Sequence, residues 1–327
     1  MAIKGRYFMT DHSSIYTLGK EPYEIVRAFC PDICSKMNEF SIEILVTRGG
    51  RIGSGMGALL EGLWGYMANQ LLFDENEHFF DIAWMPDNQY NDFTIVEKNV
   101  SWNPDDRTGE LFRIEAKSMN RQADESKAHF DVLKKELGKN DSLLILVWEW
   151  AAIDKTHRYP KVIDYYFGRA LDVVELRDTL HVLRGGSFVS SSNCPDGCNP
   201  ATCPHDGEPL NASRIRERLS GPDSTKGNKV SYAANFGGLV RMLKTSNTSA
   251  KSAFQKYRST DTPQEAFISF IFRNYPDEEK NHYGINQLRA VARQRNIDPA
   301  GLSKEDLYDL LKHDNPNRCI EELRYCN

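Results

Sequence analysis

Between residues 58 and 183 the apolar and polar positions fall into a readable succession of short elements. Ala58 to Leu72 is apolar on most faces and predicts a largely buried helix. The glycine-rich stretch before it, Gly49 to Gly57, has the spacing of neither a phosphate loop nor a dinucleotide fingerprint and reads as a turn feeding that helix. His78 to Met85 and Phe93 to Val96 predict strands, with turns at Pro86-Asp87-Asn88 and Asn103-Pro104-Asp105-Asp106. Leu111 to Met119 alternates, so that Phe112, Ile114 and Ala116 share one face and Arg113, Glu115 and Lys117 the other. Asp124 to Leu137 predicts an amphipathic helix stopped by Gly138. A buried strand (Asp141 to Trp150), a further strand (Val162 to Gly168) and a helix (Val173 to Leu183) follow. Pro263 to Phe272 predicts a helix, and Ile285 to Lys312 two helices around a short extended link; Met1 to Lys36 gives only weak signals.

Helices interleaved with short apolar strands predict a mixed α/β fold. The expected organisation is an N-terminal segment over 1–40, a core over 41–190, a loop and basic region over 191–260, and a helical C-terminal region over 261–327. At 327 residues, with 40% apolar and 27% charged side chains, the chain can build a proper core. Apolar runs such as Leu143 to Trp148 are too short to cross a bilayer, and the first residues lack the order of a signal peptide. Seven cysteines, an odd number, do not suggest a disulfide framework, so a reducing cytoplasm is expected. The net charge of -5 conceals two opposed blocks. Leu71 to Glu115 holds eleven acidic residues against three basic ones, and Asn211 to Thr260 ten basic against two acidic. The basic block suits a polyanionic partner, because such a ligand feels the nearest field.

The chemistry centres on Asp81, Glu115 and Lys117. Two residues apart on a strand, Glu115 and Lys117 point the same way, and Asp81 lies on the face opposite Phe80, Ile82 and Trp84. If their strands are neighbours, two carboxylates suited to Mg²⁺ meet an ammonium that can orient water or stabilise developing charge. Asp81, followed by Glu115-Ala116-Lys117 with a helix before, a helix after and then a buried strand, resembles the PD-(D/E)xK nuclease superfamily, which includes most type II restriction endonucleases. The resemblance covers roughly residues 50 to 170. It implies a restriction-endonuclease-like core, a mixed central sheet flanked by helices, with Asp81 and Glu115 as Mg²⁺ ligands. An acidic residue on the preceding helix often joins such a site, and Glu61 occupies that place. The residue before Asp81 is Phe80 rather than Pro, which leaves Asp105, after Pro104, as second choice and Asp92 as third.

Cys194, Cys198, Cys203 and His205 form a C-x3-C-x4-C-x-H cluster among prolines and glycines, a set able to enclose one tetrahedral structural Zn²⁺. Near the C-terminus, Leu288, Val291 and Ala292 share a helix face, and Ser303 with Asp306 has the capping-box spacing. This stretch resembles a SAP-like helix–extended–helix module, a family that binds DNA or partners. The candidate DNA contacts are Arg214, Arg216, Arg218, Lys226, Lys229, Arg241 and Lys244 in the basic block, with Arg289, Arg293 and Arg295 in the tail. The expected activity is Mg²⁺-dependent, site-specific cleavage of double-stranded DNA, with a homodimer implied by the family. The alternatives are a non-catalytic DNA-binding protein on the same core, or a nuclease for RNA or branched DNA.

Overall fold

The computed structural model describes residues 20–48, 55–86, 91–122, 128–183, 187–188, 209–210, 236–243, 264–275, 279–280, 283–316, 318–320 and 323. The chain divides into two compact units. The first comprises residues 1–126 and 137–171, the second 127–136 and 172–327, so the division falls inside a helix rather than at a linker.

The first unit is an α/β layer. Its helices are α1 (Pro22–Ile44) and α2 (Gly55–Asp74). Its strands are β1 (Phe80–Trp84), β2 (Phe93–Glu97), β3 (Glu110–Asn120), β4 (Ser142–Ala152) and β5 (Arg158–Arg169), hydrogen-bonded in that order. All neighbours are antiparallel except β3 and β4, which run parallel, so the sheet is mixed. Alternation decides which face is covered. Phe80, Ile82, Phe93, Ile95, Phe112, Ile114, Ala116, Leu144 and Leu146 pack in one cluster with α1 and α2. Leu143, Ile145 and Val147 on the other side of β4 are also fully buried, which explains its uninterrupted apolar run. Gly65 permits the close approach of α2, because a Cβ there would sit 2.5 Å from the Phe93 ring.

α1 was not legible in the sequence, and the boundary expected at residue 40 falls within it. Its buried face (Ile25, Val26, Cys30, Ile33, Met37) recurs at helical spacing, but Pro31 interrupts the pattern.

Where β4 begins, a buried carboxylate ties the hairpin to the sheet. Asp141, 1% exposed, accepts from Arg107 Nη1 and Nη2 (3.1 and 2.6 Å), Arg113 N (3.0 Å) and Gly138 N (2.7 Å). Removing this carboxylate leaves the N–H groups of Arg113 and Gly138 without their acceptor and takes one of two carboxylate partners from Arg107, which keeps Glu110. Asp141→Ala is therefore expected to destabilise the first unit by about 2–4 kcal/mol. Urea unfolding would show this as a lower midpoint at unchanged slope; a loss below ~1 kcal/mol would contradict it.

In the second unit the helix expected over Asp124–Leu137 is absent where the residues are described. Phe130 N donates to Gly237 O (2.7 Å) and Leu239 N to Ala128 O (3.1 Å), so bridge pairing with a distant segment of the same chain replaces helical bonding. Only Lys134–Glu136 coils, as one 3₁₀ turn. Helix α3 (Ala170–Leu183) places Arg177, 1% exposed, against this pairing. Arg177 Nη1 donates to Phe130 O (2.8 Å), and its guanidinium lies 4.1 Å from the centroid of the Phe236 ring and bonds Asp178. Strands β6 (Ser187–Phe188) and β7 (Pro209–Leu210) pair antiparallel, joining the two ends of the segment that carries the Cys/His cluster.

Further along come α4 (Glu265–Asn274), α5 (Ile285–Gln294) and α6 (Lys304–Lys312). Leu288, Val291, Ala292, Leu307, Tyr308 and Leu311 form one core, as their spacing predicts. Asn296, at φ 57°, ends α5, with Ile297 N closing back on Ala292 O. Ser303 and Asp306 form the expected capping box. Among the described residues no helix is long and apolar enough to cross a membrane.

Candidate active site

The site forms where β2 begins beside β3. Phe93 is the first residue of β2 and pairs with Ile114; β3 continues past that point, through Glu115 and Lys117, to Asn120. Asp92 stands at this notch. Its N–H donates to Ile114 O (3.1 Å), and its Oδ2 accepts from Ala116 N (2.8 Å). The Asp92 carboxylate thus takes the ladder bond that another residue of β2 would have supplied. That fixes it between Glu115 and Lys117. The chain turns into Asp92 through Asn91, whose φ of 93° is uncommon for any residue but glycine and better tolerated by Asn than by most. Asn91 is 7% exposed, and neither amide atom has a partner among the described residues.

Lys117 Nζ forms an ion pair with Glu115 Oε1, both side chains being largely buried. α2 packs on the face of β3 that carries Ala116 and Ser118, with Gly57 against Ser118: a Cβ at Gly57 would sit 2.4 Å from the Ser118 hydroxyl. Ser118 in turn hydrogen-bonds Glu61. Glu61 therefore approaches from the helix side, while Glu115 and Lys117 project from the other strand face. The notch left by β2 is what lets these groups feel one another.

The electrostatics follow from this proximity. Burial pushes the Glu61 carboxyl above its ordinary value, the Asp92 charge adds to that rise, and Lys117 and the Ser118 hydrogen bonds partly offset it. For Lys117, burial acts downward, but Glu115, Asp92 and Glu61 together outweigh it and hold the ammonium above its usual range. Three carboxylates and one ammonium, if all ionised, leave a charge of about −2 in a half-buried site, which a divalent cation would neutralise. Among the described residues no group of three His, Cys, Asp or Glu side chains is placed to hold a metal. Mg²⁺ does not require such a cage, since it commonly binds through one or two carboxylates and keeps several waters. The donor set of Asp92, Glu115 and Glu61 is all hard oxygen, which fits it.

No family model and no curated protein matches the chain.

Asp81 does not join this group. It pairs with Val96, and Val96 with Glu110. Glu115 lies five residues further along β3, about 17 Å away by strand rise, with a whole strand between. Burial raises the Asp81 carboxyl and Lys98 offsets this, with no contribution from Lys117. Asp105 lies exposed in the β2–β3 turn, its N–H bonded to Asn103 Oδ1. Glu61, Glu115 and Lys117 are brought together as the sequence suggests, and Asp92 replaces Asp81 as the carboxylate beside them. Ser118 and Asn91 had no sequence signal.

Cys194, Cys198, Cys203 and His205 lie outside the described residues, as do Arg214, Arg216, Arg218, Lys226, Lys229 and Lys244. Arg241 begins a 3₁₀ turn. Arg289 and Arg293 sit one turn apart on α5, and Arg295 follows it; among the described residues none of the three has a carboxylate partner. Arg295 Nη1 is buried without a hydrogen bond among the described residues.

Proposed function

We propose that the chain is a Mg²⁺-dependent endonuclease of the PD-(D/E)xK type that cleaves double-stranded DNA at a specific sequence. The observation that carries this reading is the meeting of Asp92, Glu115 and Lys117 at the notch between β2 and β3, with Glu61 arriving from the preceding helix. Asp92 and Glu115 would hold the metal, assisted by Glu61. When bound, Mg²⁺ supplies Lewis-acid polarisation of the scissile phosphate. Lys117, kept cationic by its three acidic neighbours, orients the attacking water and stabilises charge developing on the phosphate oxygens. Ala116 N–H fixes the Asp92 carboxylate. Ser118 does the same for Glu61.

The mixed sheet with α1 and α2 on one face agrees with the core that the family resemblance implies. The basic block, the SAP-like tail and a structural Zn²⁺ held by Cys194, Cys198, Cys203 and His205 complete the reading as the parts that grip the duplex. A cytoplasmic restriction enzyme acting as a homodimer is the form this activity would take.

Incubation of the full chain with phage and plasmid DNA of differing methylation, in Mg²⁺ or EDTA, tests the proposal. Discrete Mg²⁺-dependent fragments are expected from the wild type and none from Glu115→Ala. DNA affinity should fall steeply with salt in both proteins. Binding without cleavage on every DNA would favour the non-catalytic alternative. Cleavage confined to RNA or junctions would change the substrate class.

A further inference from the structure

We infer that α2 is the interface between two copies of this chain, paired antiparallel about a two-fold axis at Tyr66. A surface helix ordinarily shows charged residues to water. Between Gly55 and Asp74 the only charged residues are Glu61, in the candidate site, and Asp74, bound to Lys36 at 2.9 Å. Outward the helix presents Leu59 (45% exposed), Tyr66 (56%) and Phe73 (76%). Trp84 of β1, 53% exposed, extends the stripe, since its ring lies against Gly62 where a Cβ would be 2.9 Å away.

The spacing identifies the occupant. Leu59, Tyr66 and Phe73 recur every seven residues, the repeat that seats one helix along another. The stripe is also symmetric about its middle. Run antiparallel, Tyr66 meets its own copy while Leu59 meets Phe73 at both ends, the self-complementarity a two-fold interface requires. The absence of Lys or Arg on α2 disfavours nucleic acid or an anionic membrane. At roughly 150–250 Å² for a whole aromatic side chain, these four residues expose on the order of 450 Å² per copy. Two copies with the flanking Ala58, Gly62 and Gln70 then reach about 1,000 Å², the lower range of specific interfaces. Glu61 lies on the same helix, so such a dimer would bring two sites to one assembly. The inference stands on the stripe, and its test does not use cleavage.

Sedimentation equilibrium of the full chain at roughly 50 μM should give twice the monomer mass of 37.4 kDa. Tyr66→Glu and Tyr66→Lys each set like charges against one another at the axis and should weaken association at least ~100-fold. An equimolar mixture of the two should recover the doubled mass. Circular dichroism guards against misfolding, which is not expected at a position 56% exposed. A wild type at the monomer mass, a variant that still dimerises, or folded variants whose mixture fails to pair would each overturn the interface.

Discussion

Asp92→Asn is expected to lower the single-turnover cleavage rate by about 10³-fold or more, while Asp81→Asn stays within about fivefold of the wild type. The contrast follows from register. Asp92 accepts from Ala116 N–H and acts electrostatically on both Glu61 and Lys117. Asp81 sits beside Val96, and Lys98 is the charge acting on it. Asparagine keeps the shape of Asp92 and can still accept through its amide oxygen, so the fold should survive. What it loses is the charge. Equal losses in the two variants, or a loss confined to Asp81→Asn, would refute the placement of the site at the β2–β3 notch.

This contrast also shows how far the sequence could be read. The alternation of Phe112, Ile114 and Ala116 identified β3 and the shared face of Glu115 and Lys117, because burial on one side of a strand imposes a period of two. Choosing the partner carboxylate required knowing which strand stands next to β3. The turn around Asn103–Asp106 contains that information in part. Reflecting Glu115 through it lands near residue 94, close to Asp92 and far from Asp81. The connection displaces the register further, with Glu97 N–H already meeting Gly109 O, and the shift between Ile95 and Val96 then moves the partner of Glu115 from residue 91 to Asp92; a bulge has no pattern of hydrophobic residues to betray it.

Local chemistry was legible where it closes on itself. Ser303 and Asp306 cap α6 as their spacing foretells, since both partners lie within one turn. Ala128 to Phe130 departs from its helical pattern for the opposite reason. Ala128 O and Phe130 N are engaged by Leu239 and Gly237, more than a hundred residues away, and that partnership overrides the local helical pattern. Glu279 is similar: it is 0% exposed and held by Lys312, Tyr308 and Ile320 N. Nothing in the sequence around Glu279 announces that network.

Lys117→Met is expected to slow cleavage by about 10²–10³-fold, the usual cost of removing one preorganised donor to the transition state, and by the same factor from pH 6 to pH 9. The constancy follows from the direction of the Lys117 shift. Without metal, Glu115, Asp92 and Glu61 outweigh burial and raise its pKa, and even an ordinary lysine, at about 10.4, keeps its proton through pH 9. The sign for stability is consistent: a raised lysine stabilises the fold fully below its unfolded value of about 10.4, and the gain is lost only as pH rises through the folded value. Were Lys117 a general base, it would have to surrender its proton, and its advantage over methionine would grow about tenfold per pH unit towards alkaline pH. Any slope common to both proteins cancels in the ratio of their rates. A ratio that climbs with pH would reassign Lys117 from positioning to proton abstraction. A ratio near one would remove it from the mechanism.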